Sequence, residues 1–202
     1  MFGFFICIEG TGHTNSKIHA HKQRAHADVP FAIEPRGLVL GMNNLLPPDI
    51  RVSAAEDVPD NFHCRFAAKR KTYSYRIWNA AVADVFASET HAHVGSTLDA
   101  AAMHDAAQSL LGTHDFAVFT VAEPEVSSTI RTLTDIRVER VPPEGQAIVL
   151  TVTGDGFLRY MVRRIAGSLI EIGRGKLPAG ALFAEARWTA PAKGLVLVEV
   201  RY

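Results

Sequence analysis

Two hydrophobic periods alternate along the chain, and their order constrains the fold more than any other feature. In Thr72-Tyr73-Ser74-Tyr75-Arg76-Ile77-Trp78, Tyr73, Tyr75 and Ile77 fall on every second position, as a strand with one buried face requires. Strand patterns return at residues 132–141, 147–153 and 194–202. Helical spacing governs Leu98, Ala102, Met103, Ala106, Leu110 and Leu111, with Ser96 or Thr97 as the expected cap and Gly112 as the stop. A second helical stripe, Leu158, Met161, Val162, Ile165, Leu169 and Ile172, ends at Gly173. Strands and helices mixed in this way indicate an α+β arrangement. Phe2 to Ile8 is apolar but has no positive n-region, is too short to span a bilayer and runs into a polar loop, so it is expected to be a buried strand rather than a membrane segment.

At 202 residues with 48% hydrophobic content, the chain can bury a sizeable core as one large domain or two small ones. Formal charge balances to zero, so any nucleic-acid surface must be a local patch. Two cysteines, Cys7 and Cys64, are too few for a disulfide framework and fit a reduced cytoplasm.

Cations concentrate in two places. Arg65, Lys69, Arg70, Lys71 and Arg76 surround Tyr73 and Tyr75, and Arg159, Arg163, Arg164, Arg174 and Lys176 lie on or after the second helical stripe. Aromatics among cations suit an unstacked base with its flanking phosphates clamped, and a solvated face has the same composition. Histidines offer a rival reading: His19 and His21 share a strand face, His26 is near in sequence, and His91 and His93 repeat the spacing. With no fourth ligand at a recognised interval and no cysteine pair, no metal is expected.

One stretch, Gly10-Thr11-Gly12-His13-Thr14-Asn15-Ser16-Lys17-Ile18-His19, resembles the active-site loop of the tRNA pseudouridine synthase A family, written G-x-G-R-T-D-x-G-V-H. Six further stretches follow in the family's order. Met42 to Val52 is similar to L-N-x-x-L-P-x-D-I-R-V, Phe62 to Ala68 to F-H-A-R-x-x-A, and Lys71 to Ile77 to K-x-Y-x-Y. Gly112 to Phe116 is similar to G-x-H-D-F, Gly156 to Arg163 to G-F-L-x-x-M-V-R, and Thr189 to Leu195 also fits.

The resemblance implies two ferredoxin-like halves, 1–80 and 81–202, forming a mixed sheet of the pseudouridine-synthase type with helices on one side. The family's opening strand and helix have no counterpart before Phe2, so the N-terminal half is expected to be incomplete, with a sheet edge and an apolar face uncovered. It further implies an isomerase, in the cytoplasm and as a homodimer, that acts on uridines of the tRNA anticodon stem-loop and needs no metal or nucleotide cofactor. Asn15 stands at the position of the catalytic aspartate, His13 replaces an arginine, and Lys17 replaces a glycine whose turn favours positive φ. An amide has neither the charge nor the basicity of a carboxylate, so turnover is expected to be impaired. The alternatives are a silent tRNA-binding protein and a decayed paralogue. Tyr73 matches the family tyrosine that stacks on the target base, and its other reading is an ordinary core aromatic. Arg163 matches the aspartate's partner. Opposite Asn15 it is expected to find another carboxylate, turn to solvent or bind phosphate, sharing an anion site with Arg159. His19 matches the motif histidine. Arg65, Lys69 and Lys71 complete the expected RNA contacts.

Overall fold

The computed structural model describes residues 8–11, 17–121, 127–141 and 145–202. The expected strand from Phe2 therefore lies outside the described residues except at Ile8, and so do His13 and Asn15. The chain divides into two compact units: residues 8–11 with Arg24–Ala67, and residues 17–23 with Ala68–Tyr202.

In the larger unit the period-2 segments become strands. They are β4 (Arg70–Trp78), β7 (Ile130–Val141), β8 (Ala147–Gly154) and β9 (Leu195–Arg201), joined by the short β2 (His19–Ala20), β5 (Ala92–His93) and β6 (Gly112–Asp115). The mixed sheet runs β2-β9-β4-β8-β7-β6, with β5 beside the end of β4. β2 pairs with β9 and β5 with β4 in parallel, and the other pairings are antiparallel.

Register explains the core. Leu197, Tyr73, Val152 and Ile136 form one cross-strand row, and Leu195, Tyr75, Leu150 and Val138 the next. These rows face α2 (Ala100–Gln108) and α3 (Met161–Gly173), which supply Met103, Ala106, Met161, Val162, Ile165 and Leu169 to the same core. Full burial of each large apolar side chain stabilises by about 1.5–3 kcal/mol. α3 approaches its neighbours closely at two glycines: a Cβ on Gly167 would run into the Trp188 carbonyl, and one on Gly173 would lie 2.7 Å from the Met103 sulfur. The opposite face of the sheet is polar where Thr72, Thr153, Asp135, Arg137 and Glu199 line a shallow depression with Arg70 and Arg201.

Both helix starts differ from expectation. α2 begins at Ala100 because Asp99 caps it, accepting from the Ala102 amide at 2.9 Å, so neither Ser96 nor Thr97 is the cap. Leu98 is not helical, and packs beside the cap as the residue before it, with Met103 one turn in. α3 begins at Met161, so Leu158 contributes to the core from the preceding turn.

In the smaller unit β1 (Ile8–Gly10) pairs antiparallel with β3 (Ala25–Ala27), placing Glu9 opposite His26. Its helix α1 (Pro35–Leu45) has proline at its first turn, as the missing amide there allows, and buries no residue. Asn43 clasps Val52, donating from Nδ2 to its carbonyl and accepting its amide, both at 2.8 Å. Arg51 donates to the Pro47 and Ile50 carbonyls, each at 2.6 Å. These contacts account for Asn43, Arg51 and Val52 in one stretch. Among the described residues no helix is long and apolar enough to cross a membrane.

Candidate functional site

Tyr73 sits on β4 at a bulge. Between Thr72 and Tyr73 the partners on β9 step from Glu199 to Leu197, so Val198 is the extra residue there. A bulge bends its strand and re-aims the neighbouring side chain. The half-buried Tyr73 ring meets Phe157 edge-on, with centroids 5.1 Å apart. Burial pushes the Tyr73 phenol up to about 12, so near neutral pH it is an uncharged hydroxyl.

Arg163 lies on α3, which packs on the Tyr73 face of β4. Tyr75, two residues along that face, feels its charge: burial raises the Tyr75 phenol and the Arg163 guanidinium partly opposes this. The Tyr75 hydroxyl donates to the Pro191 carbonyl at 2.7 Å. Arg163 itself is half-buried and does not pair with a carboxylate of the described residues. Its Nε donates to the Ala190 carbonyl at 2.7 Å, and its guanidinium lies 5.2 Å from the Tyr160 ring centroid. A carbonyl dipole and an aromatic face satisfy the cation, in place of the carboxylate, solvent or phosphate expected of it. The segment 190–191 thus holds both the arginine of α3 and the tyrosine of β4.

The Arg159 guanidinium reaches the same Tyr160 ring, also at 5.2 Å, so the two arginines converge as expected for neighbours one turn apart. They do so across the start of the helix rather than along it, because Tyr160 caps α3 with φ of 63°. Behind them Arg164 donates to the Thr120 carbonyl at 2.7 Å, fixing the helix start to the segment after β6.

The remaining expected residues are placed separately. His19 is on β2, held by its Nε2 contact to the Glu89 carbonyl at 2.9 Å. Lys69 and Lys71 flank the start of β4, the first exposed and the second half-buried, and Arg65 is exposed in the smaller unit. Of the histidines weighed as metal ligands, three are otherwise engaged: His21 with Arg76, His91 with Thr90 and His93 with the Ala80 carbonyl. Lys17 adopts φ of 68°, the conformation for which a glycine was expected.

Phe157 and Tyr160 were not singled out from sequence, although an aromatic between Arg159 and Arg163 was a readable signal. Tyr73, Phe157, Tyr160, Arg159 and Arg163 offer an aromatic edge and two cations. None carries a carboxylate, so this group can stack and neutralise but supplies no nucleophile.

Comparison with known proteins agrees with this architecture. The family model described as tRNA pseudouridine synthase matches residues 106–202. The tRNA pseudouridine synthase A of Halalkalibacterium halodurans is 41% identical over 202 residues, covering 96% of this chain and 76% of its own. That of Leuconostoc mesenteroides is 39% identical over 98% of this chain and 80% of its own, and that of Myxococcus xanthus 36% identical over 100% and 78%.

Proposed function

Because the chain belongs to the tRNA pseudouridine synthase A family, we propose that it engages the tRNA anticodon stem-loop as a cytoplasmic homodimer and that Asn15 impairs its isomerisation of uridine. In that reaction the glycosidic carbon–nitrogen bond breaks and the ring rejoins the sugar through carbon. The family's aspartate begins it, either by attack or by taking a proton. Asn15 can do neither, and loss of an essential nucleophile costs on the order of ten thousand-fold to a million-fold in turnover.

The observation that carries the reading is the contact of two motif stretches, Tyr73 of β4 against Phe157 of the turn that leads into α3. Tyr73, neutral and edge-on to Phe157, is suited to stack on a base, while Arg159 and Arg163 gather positive charge on the Tyr160 ring, three residues after Phe157. Lys69 and Lys71 at the start of β4 and Arg65 in the smaller unit would meet phosphate, and His19 belongs to β2, which follows residues 12–16 in sequence. With the carboxylate missing, Arg163 is kept in place by Ala190 and Tyr160 rather than by a counter-ion. A catalytically silent tRNA-binding protein is the second reading, favoured by the same substitution at Asn15.

The test is pseudouridine formation on an unmodified tRNA transcript by the encoded chain and by Asn15→Asp, with binding followed across salt concentration. Both proteins should bind with the logarithm of affinity falling linearly in log salt, and Asn15→Asp should turn over at least about a thousandfold faster. Equal turnover would mean that another group replaces the carboxylate. Absence of salt-dependent binding in both would overturn the tRNA assignment.

A further inference from the structure

We propose that the smaller unit contains a binding site for one zinc-like divalent cation, ligated by His26, His63 and Cys64 and braced by Glu9. This goes beyond the reading of the tRNA site and does not depend on it. The ligand atoms of the three residues all lie within 4.8 Å of one another. A tetrahedral zinc site with metal–sulfur and metal–nitrogen bonds of about 2.3 and 2.0–2.1 Å places its sulfur and nitrogen about 3.6 Å apart. The observed separations bracket that value, since the Cys64 sulfur is 3.2 Å from His26 Nδ1.

The site is built by the local fold. Glu9 and His26 are directly opposite in the β1–β3 ladder, and His63 and Cys64 come from the turn that packs against them. Cys64 is fully buried, and its sulfhydryl donates to the Glu9 carbonyl at 3.1 Å. The two imidazoles are half-buried, with ring centroids 4.7 Å apart, so the cluster is screened on one side and reachable on the other. The Glu9 carboxylate lies 3.0 Å from His63 Nε2. Accepting the Nε2–H hydrogen bond there leaves the His63 lone pair on Nδ1, which now accepts the Arg65 amide at 3.2 Å. A carboxylate behind a ligating histidine fixes its tautomer and raises its basicity.

Two imidazoles and a thiol are a borderline-to-soft donor set, which selects zinc-like ions over magnesium or calcium. On binding, the Cys64 proton leaves to solvent as the metal–sulfur bond forms, and water fills the fourth position. The motif that this stretch resembles, F-H-A-R, has alanine where this chain has Cys64.

The experiment is a Co²⁺ titration of the metal-free full chain, reading the thiolate-to-cobalt charge-transfer absorption, with Zn²⁺ added afterwards to displace it. The expected result is saturation at one equivalent, full retention of the band in Cys7→Ser and its loss in Cys64→Ala, a substitution toward the family residue that should leave folding intact. His26→Gln keeps the sulfur and should weaken binding by about tenfold or more, and Glu9→Gln by about ten- to a hundredfold. No band in the parent chain, or a band that survives Cys64→Ala and disappears with Cys7→Ser, would overturn the site. So would unchanged affinity in His26→Gln, which would leave only a hydrogen-bonded thiol.

Discussion

At the scale of the residue, Tyr73 couples the site to stability. Burial raises its phenol from 10.0 to about 12, so between those pH values the unfolded chain has released a proton that the folded chain retains. Stability therefore falls as pH rises through that window, and the contribution is fully present below about pH 10. Two pH units correspond to about 3 kcal/mol. Tyr73→Phe should remove roughly that part of the alkaline loss between about pH 9 and pH 12, measured by urea unfolding, while Tyr75 keeps its own share. Identical pH dependence in parent and variant would mean that the Tyr73 phenol is solvated. Tyr73 and Arg163 were singled out through the resemblance of the stretches in which they stand, not through local spacing alone. Tyr160 was not, since its role depends on a left-handed backbone that no tyrosine advertises and on two arginines turning toward one ring. Ala190 could not be found locally either: it meets Arg163 from 27 residues away, through a carbonyl common to every residue type. Lys17 is the converse case, where its replacement of a motif glycine pointed to a positive φ, and the chain holds 68° there at a cost of about 1–2 kcal/mol.

At the scale of the element, hydrophobic period located the long strands and both helices of the larger unit, but not their ends. Period records which face is buried, and a core-facing residue just outside a helix reads like one within it. Leu98 and Leu158 are both of this kind, buried at 2% and 6% exposure yet outside α2 and α3. The start of α2 is decided instead by the Asp99 carboxylate, which satisfies an amide that the helix cannot. Asp99→Ala should cost about 0.5–2 kcal/mol in chemical unfolding, whereas Thr97→Ala should stay within about 0.5 kcal/mol of the parent. Reversal of those two effects would return the cap to the position expected from sequence. The bulge beside Tyr73 was equally invisible in sequence, because Val198 is an ordinary strand residue with no glycine or proline near it in β9 to mark the irregularity.

At the scale of the whole molecule, the α+β class followed from the order of the two periods, while the sheet's edge did not. β2 joins β9 by pairing His19 with Val196 across nearly the full length of the chain, a contact without local signature. The two units also differ in how they bury apolar surface. In the larger, Tyr75, Ile77, Ile148, Leu150, Met161 and Ile165 share one core at 0–1% exposure. In the smaller, α1 buries nothing, and Leu40 and Leu45 are 58% and 89% exposed. An eleven-residue helix is marginal in water without packing, since isolated helices shorter than about 12–15 residues rarely persist. What holds its C-terminal end is polar: the Asn43 clasp on Val52 and the Arg51 contacts to carbonyls. Net hydrogen bonds of this kind contribute about 0.5–1.5 kcal/mol each, far less than a buried stripe. Amide exchange should therefore proceed through low-energy local opening in α1, and through near-global unfolding in β4, β8 and α3. Asn43→Ala should bring α1 toward unprotected exchange while leaving α3 unchanged. If α1 in the parent were as slow to exchange as α3, its apolar face would be covered in solution, and the polar clasp would not be what holds it.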